Sequence, residues 1–170
     1  RIWGPPLMLK KVVSGGQTGA DISAVIVAKR YGLETGGWMP KGFLTQAGPR
    51  PDYAEIYGMQ EHESPSYVPR TYANVRDSDG TLRIAGDLLS SGEVCTLKAI
   101  EQYDKPHMDI SLVEVWPWEA RAIEVRVWLE KHGIEVLNVA GNSEKTFPGT
   151  AGETIDFMEA LCKELGLSRS

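Results

Sequence analysis

Cysteine is nearly absent from this chain of 170 residues: Cys95 and Cys162 are the only two, and they lie far apart. That spacing excludes a disulfide framework and a CxxC metal pair. Both fall in helix-like segments and read as buried thiols of a reducing cytoplasm. Histidine is as scarce. His62, His107 and His132 show no ligand spacing, so a histidine zinc site is not indicated. Long apolar runs are missing too. Uninterrupted ones such as Ala24 to Ala28 fall far short of the ~18 residues that span a bilayer, and the start has no basic-then-apolar secretory pattern. Positive charge is in deficit: 18 Lys+Arg against 23 Asp+Glu leave a formal net charge of −5. A dedicated duplex DNA or RNA binder normally shows the opposite balance. The expectation is a cytoplasmic protein with no membrane and no nucleic-acid partner.

What is present is glycine, 18 residues of 170, against a usual share of about 7%. With 42% hydrophobic and 24% charged residues the composition is otherwise globular. A chain of this length buries roughly 70% of its unfolded surface without metal or disulfide staples. The charge is uneven, net +2 over residues 1 to 85 and net −7 over residues 86 to 170. An anion site would therefore draw its side chains from the first half.

Residues 1 to 8 carry no period and are expected to be a flexible N-terminal extension to a single domain over 9 to 168. Leu9 to Val13 reads as a buried strand meeting a glycine turn, and Ala20 to Tyr31 as a well-buried helix stopped by Gly32. Glu34 to Pro65, broken by glycine and proline, reads mostly as loop with one short strand near Tyr57 to Glu61. Helices are expected at Pro69 to Arg76, Gly92 to Tyr103, Pro117 to His132 and Glu153 to Leu165. Strands are expected at Asp79 to Ala85, in part of His107 to Val115, and at Ile134 to Val139. Apolar strands alternating with helices imply a parallel sheet covered on both faces.

Ligands of such sheets bind beyond the carboxyl ends of the strands. Four glycine-bearing segments are expected there: Ser14 to Asp21, Gly36 to Gly42, Gly86 to Gly92 and Gly141 to Gly149. Three of them feed a helix start, which offers unpaired N–H groups and about half a positive charge. Glycine lets the backbone come close to a ligand. Together these features bind phosphate or another oxyanion without a basic side chain. Taken singly, each loop reads equally well as a turn or cap; the four together favour a phosphate-binding site. Ser14 to Asp21 is neither GxGxxG nor a Walker loop, so neither a dinucleotide nor an ATPase is indicated.

The side chains nearby carry two readings each. Lys41 meets an anion or is merely solvated; Trp38 stacks on a base or plugs the edge of the core. Arg70 and Arg76, six apart, need not share a helix face. Asp77-Ser78-Asp79-Gly80 is similar to part of a calcium loop, but Val75 stands where its first ligand belongs and no Glu closes it. It reads as a turn, with ribose hydroxyls or Mg²⁺ as the alternative contact. Asp21 lies in a first helical turn, where a carboxylate favours the dipole.

Four motifs follow in order: Ser14 to Asp21 (SGGQTGAD), Gly36 to Gly42 (GGWMPKG), Arg70 to Thr81 (RTYANVRDSDGT), and Leu137 to Gly141 with Pro148-Gly149. In these the chain resembles the molybdenum carrier family, also described as circularly permuted YpsA-like, over about Lys10 to Leu165. The resemblance implies an α/β, Rossmann-like three-layer sandwich, in the group that includes the lysine-decarboxylase-like, cytokinin-activating proteins. It implies a molybdenum cofactor, molybdate or a nucleotide-type ligand at the glycine-rich edge, and a homo-oligomer. Loops and resemblance together give the ligand-binding candidates. The first motif supplies Ser14, Gly15, Gly16, Gln17, Thr18, Gly19 and Asp21, and the second Trp38 and Lys41. The third supplies Arg70, Asn74, Asp77 and Asp79, and the later loops Ser91, Gly92 and Gly141.

The chain departs from that family twice. Ser91-Gly92-Glu93 stands for a Gly-Gly-Thr turn and sets a carboxylate at a helix start; Asn142-Ser143 stands for Pro-Arg and removes a cation. The Pro-Gly-Gly-x-Gly-Thr motif of related hydrolases is absent. The expected function is a carrier that binds one phosphate- or molybdate-like group. An alternative is a nucleoside-monophosphate N-glycosidase using Glu93 or Asp79. Another is an oligomeric scaffold whose glycine loops are only turns. The helix Pro117 to His132, with Trp116, Trp118, Ile123, Val127 and Trp128, is the expected oligomer contact.

Overall fold

A computed structural model describes residues 9–170; the expected N-terminal extension lies outside them. The chain runs β1 (Lys11–Val13), α1 (Ala20–Arg30), β2 (Glu34–Met39), a 3₁₀ turn (Lys41–Phe43), β3 (Leu44–Thr45), β4 (Gly48–Pro49) and α2 (Asp52–Tyr57). It continues with β5 (Met59–Glu61), α3 (Tyr67–Arg76), β6 (Gly80–Ala85), α4 (Ser91–Tyr103), β7 (His107–Ser111), α5 (Trp118–His132), β8 (Val136–Gly141) and α6 (Thr150–Glu164). Six strands form one sheet in the order β5-β2-β1-β8-β6-β7, and β3 and β4 make a small hairpin. Every pairing in the large sheet is parallel, with Val12 set between Thr35 and Leu137. α1, α5 and α6 cover one face, α3 and α4 the other. The fold is α/β and Rossmann-like.

The two faces of the sheet differ in polarity, and this positions the site. Val12, Leu82, Ile84, Ile110, Leu137 and Val139 join the main core under α1, α5 and α6. The residues alternating with them point the other way, because successive strand side chains take opposite faces. On β6, β7 and β8 these are Thr81, Arg83, Asp109 and Asn138, so the α3–α4 side is lined with polar groups. The strand Leu9 to Val13 begins two residues later than expected, and β8 runs two residues further, through Gly141.

The segment from Glu34 differs most from expectation. Gly36, Gly37 and Trp38 lie within β2, not in a loop after it. Gly37 has φ +128°, and a Cβ there would strike the Ser14 carbonyl of the neighbouring loop. The glycine thus reflects close strand packing and not a turn. The helix α2 also fell outside the expectation, because Pro51 and Gly58 cap a segment of only six residues. Cys95 and Cys162 are buried free thiols, and burial pushes Cys162 up to about 12. Among the described residues no helix is long and apolar enough to cross a membrane.

Candidate functional site

The strands β1, β8 and β6 are neighbours, so the loops leaving their carboxyl ends meet. They enclose a cleft of about 190 Å³ roofed by α3. Gln17 and Asp21 line it from the first loop and α1, Arg70 and Thr71 from α3, and Ser90 to Glu93 with Thr96 from α4. Ala140 to Ser143 and Thr146 complete it from the loop after β8.

Three helix starts approach this edge, and at two of them the protein itself takes up several of the donors. At α1, the Gly16 N–H donates to Ser14 Oγ at 3.2 Å, Gln17 N–H to Asp21 Oδ2 at 3.3 Å, and Thr18 N–H to Gln17 Oε1 at 2.9 Å. The Ala20 N–H goes to the Asn142 carbonyl at 3.1 Å. At α6, the Glu144 carboxylate accepts from the N–H groups of Gly149 and Ala151. At α4 no side chain caps the first turn, and the N–H groups of Ser91, Gly92 and Glu93 have no hydrogen-bond partner among the described residues. Its free N–H groups, at Ser91, Gly92 and Glu93, lie along the cleft.

The N–H groups of Gly16, Gln17 and Thr18 are thus taken up within the loop. Its glycines serve close packing. A Cβ on Gly19 would strike the Asn142 carbonyl, and one on Gly15 the guanidinium of Arg70. Asn142 ties the loop after β6 in place. Its Oδ1 accepts from Gly86 N–H at 2.9 Å and Asp87 N–H at 2.8 Å, while its Nδ2 donates to the Asp87 carbonyl at 2.9 Å.

Charge is buried beneath this cleft. Arg70 Nη1 stands 3.8 Å from Asp21 Oδ2, while Arg70 Nε is buried with no hydrogen-bond partner. Glu93 is 2% exposed, and its Oε1 lies 3.7 Å from Arg83 Nη1, both atoms lacking a hydrogen bond. Burial pushes the Asp21 carboxyl up to about 6, against the lowering pull of Arg70. Burial likewise pushes Glu93 up to about 7, with Arg83 lowering it and Asp21 and Asp109 raising it further.

Of the sequence candidates, the cleft brings together Gln17, Asp21, Arg70, Ser91, Gly92 and Gly141. Ser14, Gly15, Gly16, Thr18 and Gly19 shape the loop below it without lining it. Trp38, Asn74 and Asp77 gather elsewhere, at a separate cavity of about 120 Å³. Asn74 accepts from the Trp38 N–H at 2.8 Å and donates to its carbonyl at 3.0 Å, pinning α3 to β2. Asp77 holds Trp38 Nε1 at 2.9 Å and pairs with exposed Arg76. Lys41 is exposed and outside the cleft. Asp79 is at the wrong end of the sheet. It precedes β6 and binds the N–H groups of Glu135 and Val136 at the amino edge, at 3.0 and 2.8 Å. The ribose, Mg²⁺ and N-glycosidase roles weighed for it therefore lose their geometric basis.

Sequence reasoning missed Thr71, Thr96, Thr146 and the support of Arg83. A signal for Arg83 was present: a lone cation in the otherwise uncharged strand Gly80–Ala85.

The model of a family described as circularly permutated YpsA SLOG matches residues 12–162. A crystal structure from Syntrophus aciditrophicus SB at 1.45 Å, bearing the name "Putative molybdenum carrier protein", is similar at 39% sequence identity. The likeness covers 92% of this chain and 96% of that one, with a TM-score of 0.84. No curated protein matches the chain. The match spans nearly all of the sheet and every loop of the cleft, and the chain belongs to the circularly permutated YpsA SLOG family.

Proposed function

We propose that this protein is a carrier that binds one oxyanion-bearing small molecule, of molybdate or phosphate type, in the cleft between α3, α4 and the loop after β8. The observation that carries this reading is the convergence of an uncapped helix start with a buried cation. The free N–H groups of α4 and the Arg70 side chain line one space, and the Arg70 Nε–H is buried beside it without a partner. A buried donor without a partner costs roughly 1–3 kcal/mol, and an oxyanion supplies the acceptor. Gly92 adds support. A Cβ there would meet nothing within 4 Å, so protein packing does not require the bare backbone it presents.

The cleft's size sets the ligand's scale. About 190 Å³ lies below the roughly 300–1,000 Å³ of drug-sized sites. It suits a single oxyanion with a small remainder, not a triphosphate. The name of the Syntrophus aciditrophicus relative favours a molybdenum-bearing ligand. A second reading, hydrolysis of a nucleoside monophosphate, draws on Glu93, a buried carboxyl near neutral pKa in the cleft. The volume disfavours it.

Titration calorimetry with sodium molybdate and sodium sulfate tests the carrier reading. Saturable one-site binding is expected, weakened at least tenfold by Arg70→Gln. Heats no larger than dilution for both ions, or an unaltered affinity in Arg70→Gln, would overturn it. Release of free base from nucleoside monophosphates would instead support the second reading.

A further inference from the structure

Five charged groups lie together under the cleft floor, and they do not balance. Three are carboxyls, Asp21 of α1, Glu93 of α4 and Asp109 of β7; two are guanidiniums, Arg70 of α3 and Arg83 of β6. With all five ionised the cluster is net negative, which repels an anion. A single proton makes it neutral.

Geometry decides which carboxyl takes that proton. Asp109 is one-third exposed and accepts two bonds from Arg83, from Nε at 2.8 Å and Nη2 at 2.6 Å. Such a bidentate pair occupies both Asp109 oxygens as acceptors. Asp21 accepts the Gln17 N–H and faces Arg70. Glu93 is 2% exposed, lines the cleft, and accepts no hydrogen bond among the described residues. It has least to lose as a carboxylic acid, and its O–H becomes a donor in a site otherwise built of donors.

We propose that the cleft takes up its anion together with one proton, carried by Glu93, so that Glu93 sets the pH range in which the site is filled. This rests on the anion-binding reading of the same cleft. The groups facing Glu93 from the packed elements are Arg83, Asp109, Asp21 and Arg70, with the Cys95 thiol beside it on α4. Burial already holds the free carboxyl near neutrality. An added anion beside it favours the protonated form further.

The experiment is calorimetry of the full chain with molybdate and with sulfate, both dianions from pH 6 to 8.5, in two buffers of different ionisation enthalpy. Expected is uptake of close to one proton at pH 8, and an affinity that falls about tenfold per pH unit above neutrality. Glu93→Gln should flatten that profile and abolish the buffer dependence. Binding without proton uptake, or affinity that rises with pH, overturns the proposal and leaves the anion-binding reading standing. Absence of binding at every pH overturns both. The proton count on the parent protein decides the matter even if Glu93→Gln does not fold.

Discussion

Replacing Glu93 by Gln should make the protein more stable at alkaline pH, although it removes a buried partner of Arg83. In the folded protein the Glu93 carboxyl titrates at about 7, against an ordinary value of 4.5. A raised carboxyl pKa means the folded state holds the proton more tightly than the unfolded one. The stability this group provides is complete below pH 4.5 and falls as pH rises to about 7. At 1.36 kcal/mol per pH unit, the loss reaches about 3 kcal/mol. Glutamine matches the neutral acid in shape and never ionises, so the loss disappears. In a protein of this size that corresponds to a Tm difference of roughly 6–12 °C, developing between pH 5 and pH 8. Asp21 weakens the protein over the lower part of this range, and it does so in both forms. The difference between variant and parent therefore reports Glu93 together with its coupling to Asp21. Differential scanning calorimetry at half-unit steps of pH is the assay. A Tm difference that stays constant from pH 5 to 8.5 would refute the reasoning, as would a variant that loses stability as pH rises.

Two further outcomes follow from the packing. Asn142→Ala strips the acceptor from the N–H groups of Gly86 and Asp87. At 2% exposure the site admits little water, so chemical denaturation should show a loss of roughly 1–3 kcal/mol; an unchanged midpoint counts against the clamp. On α5, Trp118 packs on Phe157 and Trp128 on the main core, but Ile123 and Val127 are exposed, as is Trp116 just before the helix. That apolar strip is expected to join copies of the chain. Light scattering at micromolar concentration should give a multimer that Ile123→Asp with Val127→Asp dissociates, and a monomer mass for the parent rules it out.

Much of the architecture was legible in the residues. α5 reads plainly because Glu119 and the pair Lys131, His132 complement the helix dipole at its two ends and Gly133 stops it at φ +60°. α6 and α4 likewise begin and end within a few residues of their patterns. The segment from Glu34 was not legible. Gly36 and Gly37 look like a turn in one dimension, yet they form a strand because β1 and Ser14 press against them.

For the site, the sequence determined the cast and the edge of the sheet where it acts: glycine-rich loops after strands, Arg70 in a long motif, Glu93 at a helix start. Tertiary structure decided which members act together. A loop's N–H groups look equally available in any sequence, but here Ser14, Gln17 and Asp21 take up donors of the loop before α1 and Glu144 those at the start of α6, while the first turn of α4 keeps its donors. Asp79 and Arg70 lie nine residues apart in one motif, yet the chain between them crosses the sheet from its carboxyl edge to its amino edge. Burial is a property of distant segments brought together, and it is the largest cause that turned Glu93, one carboxylate among 23 Asp+Glu residues, into a group pushed up to about 7.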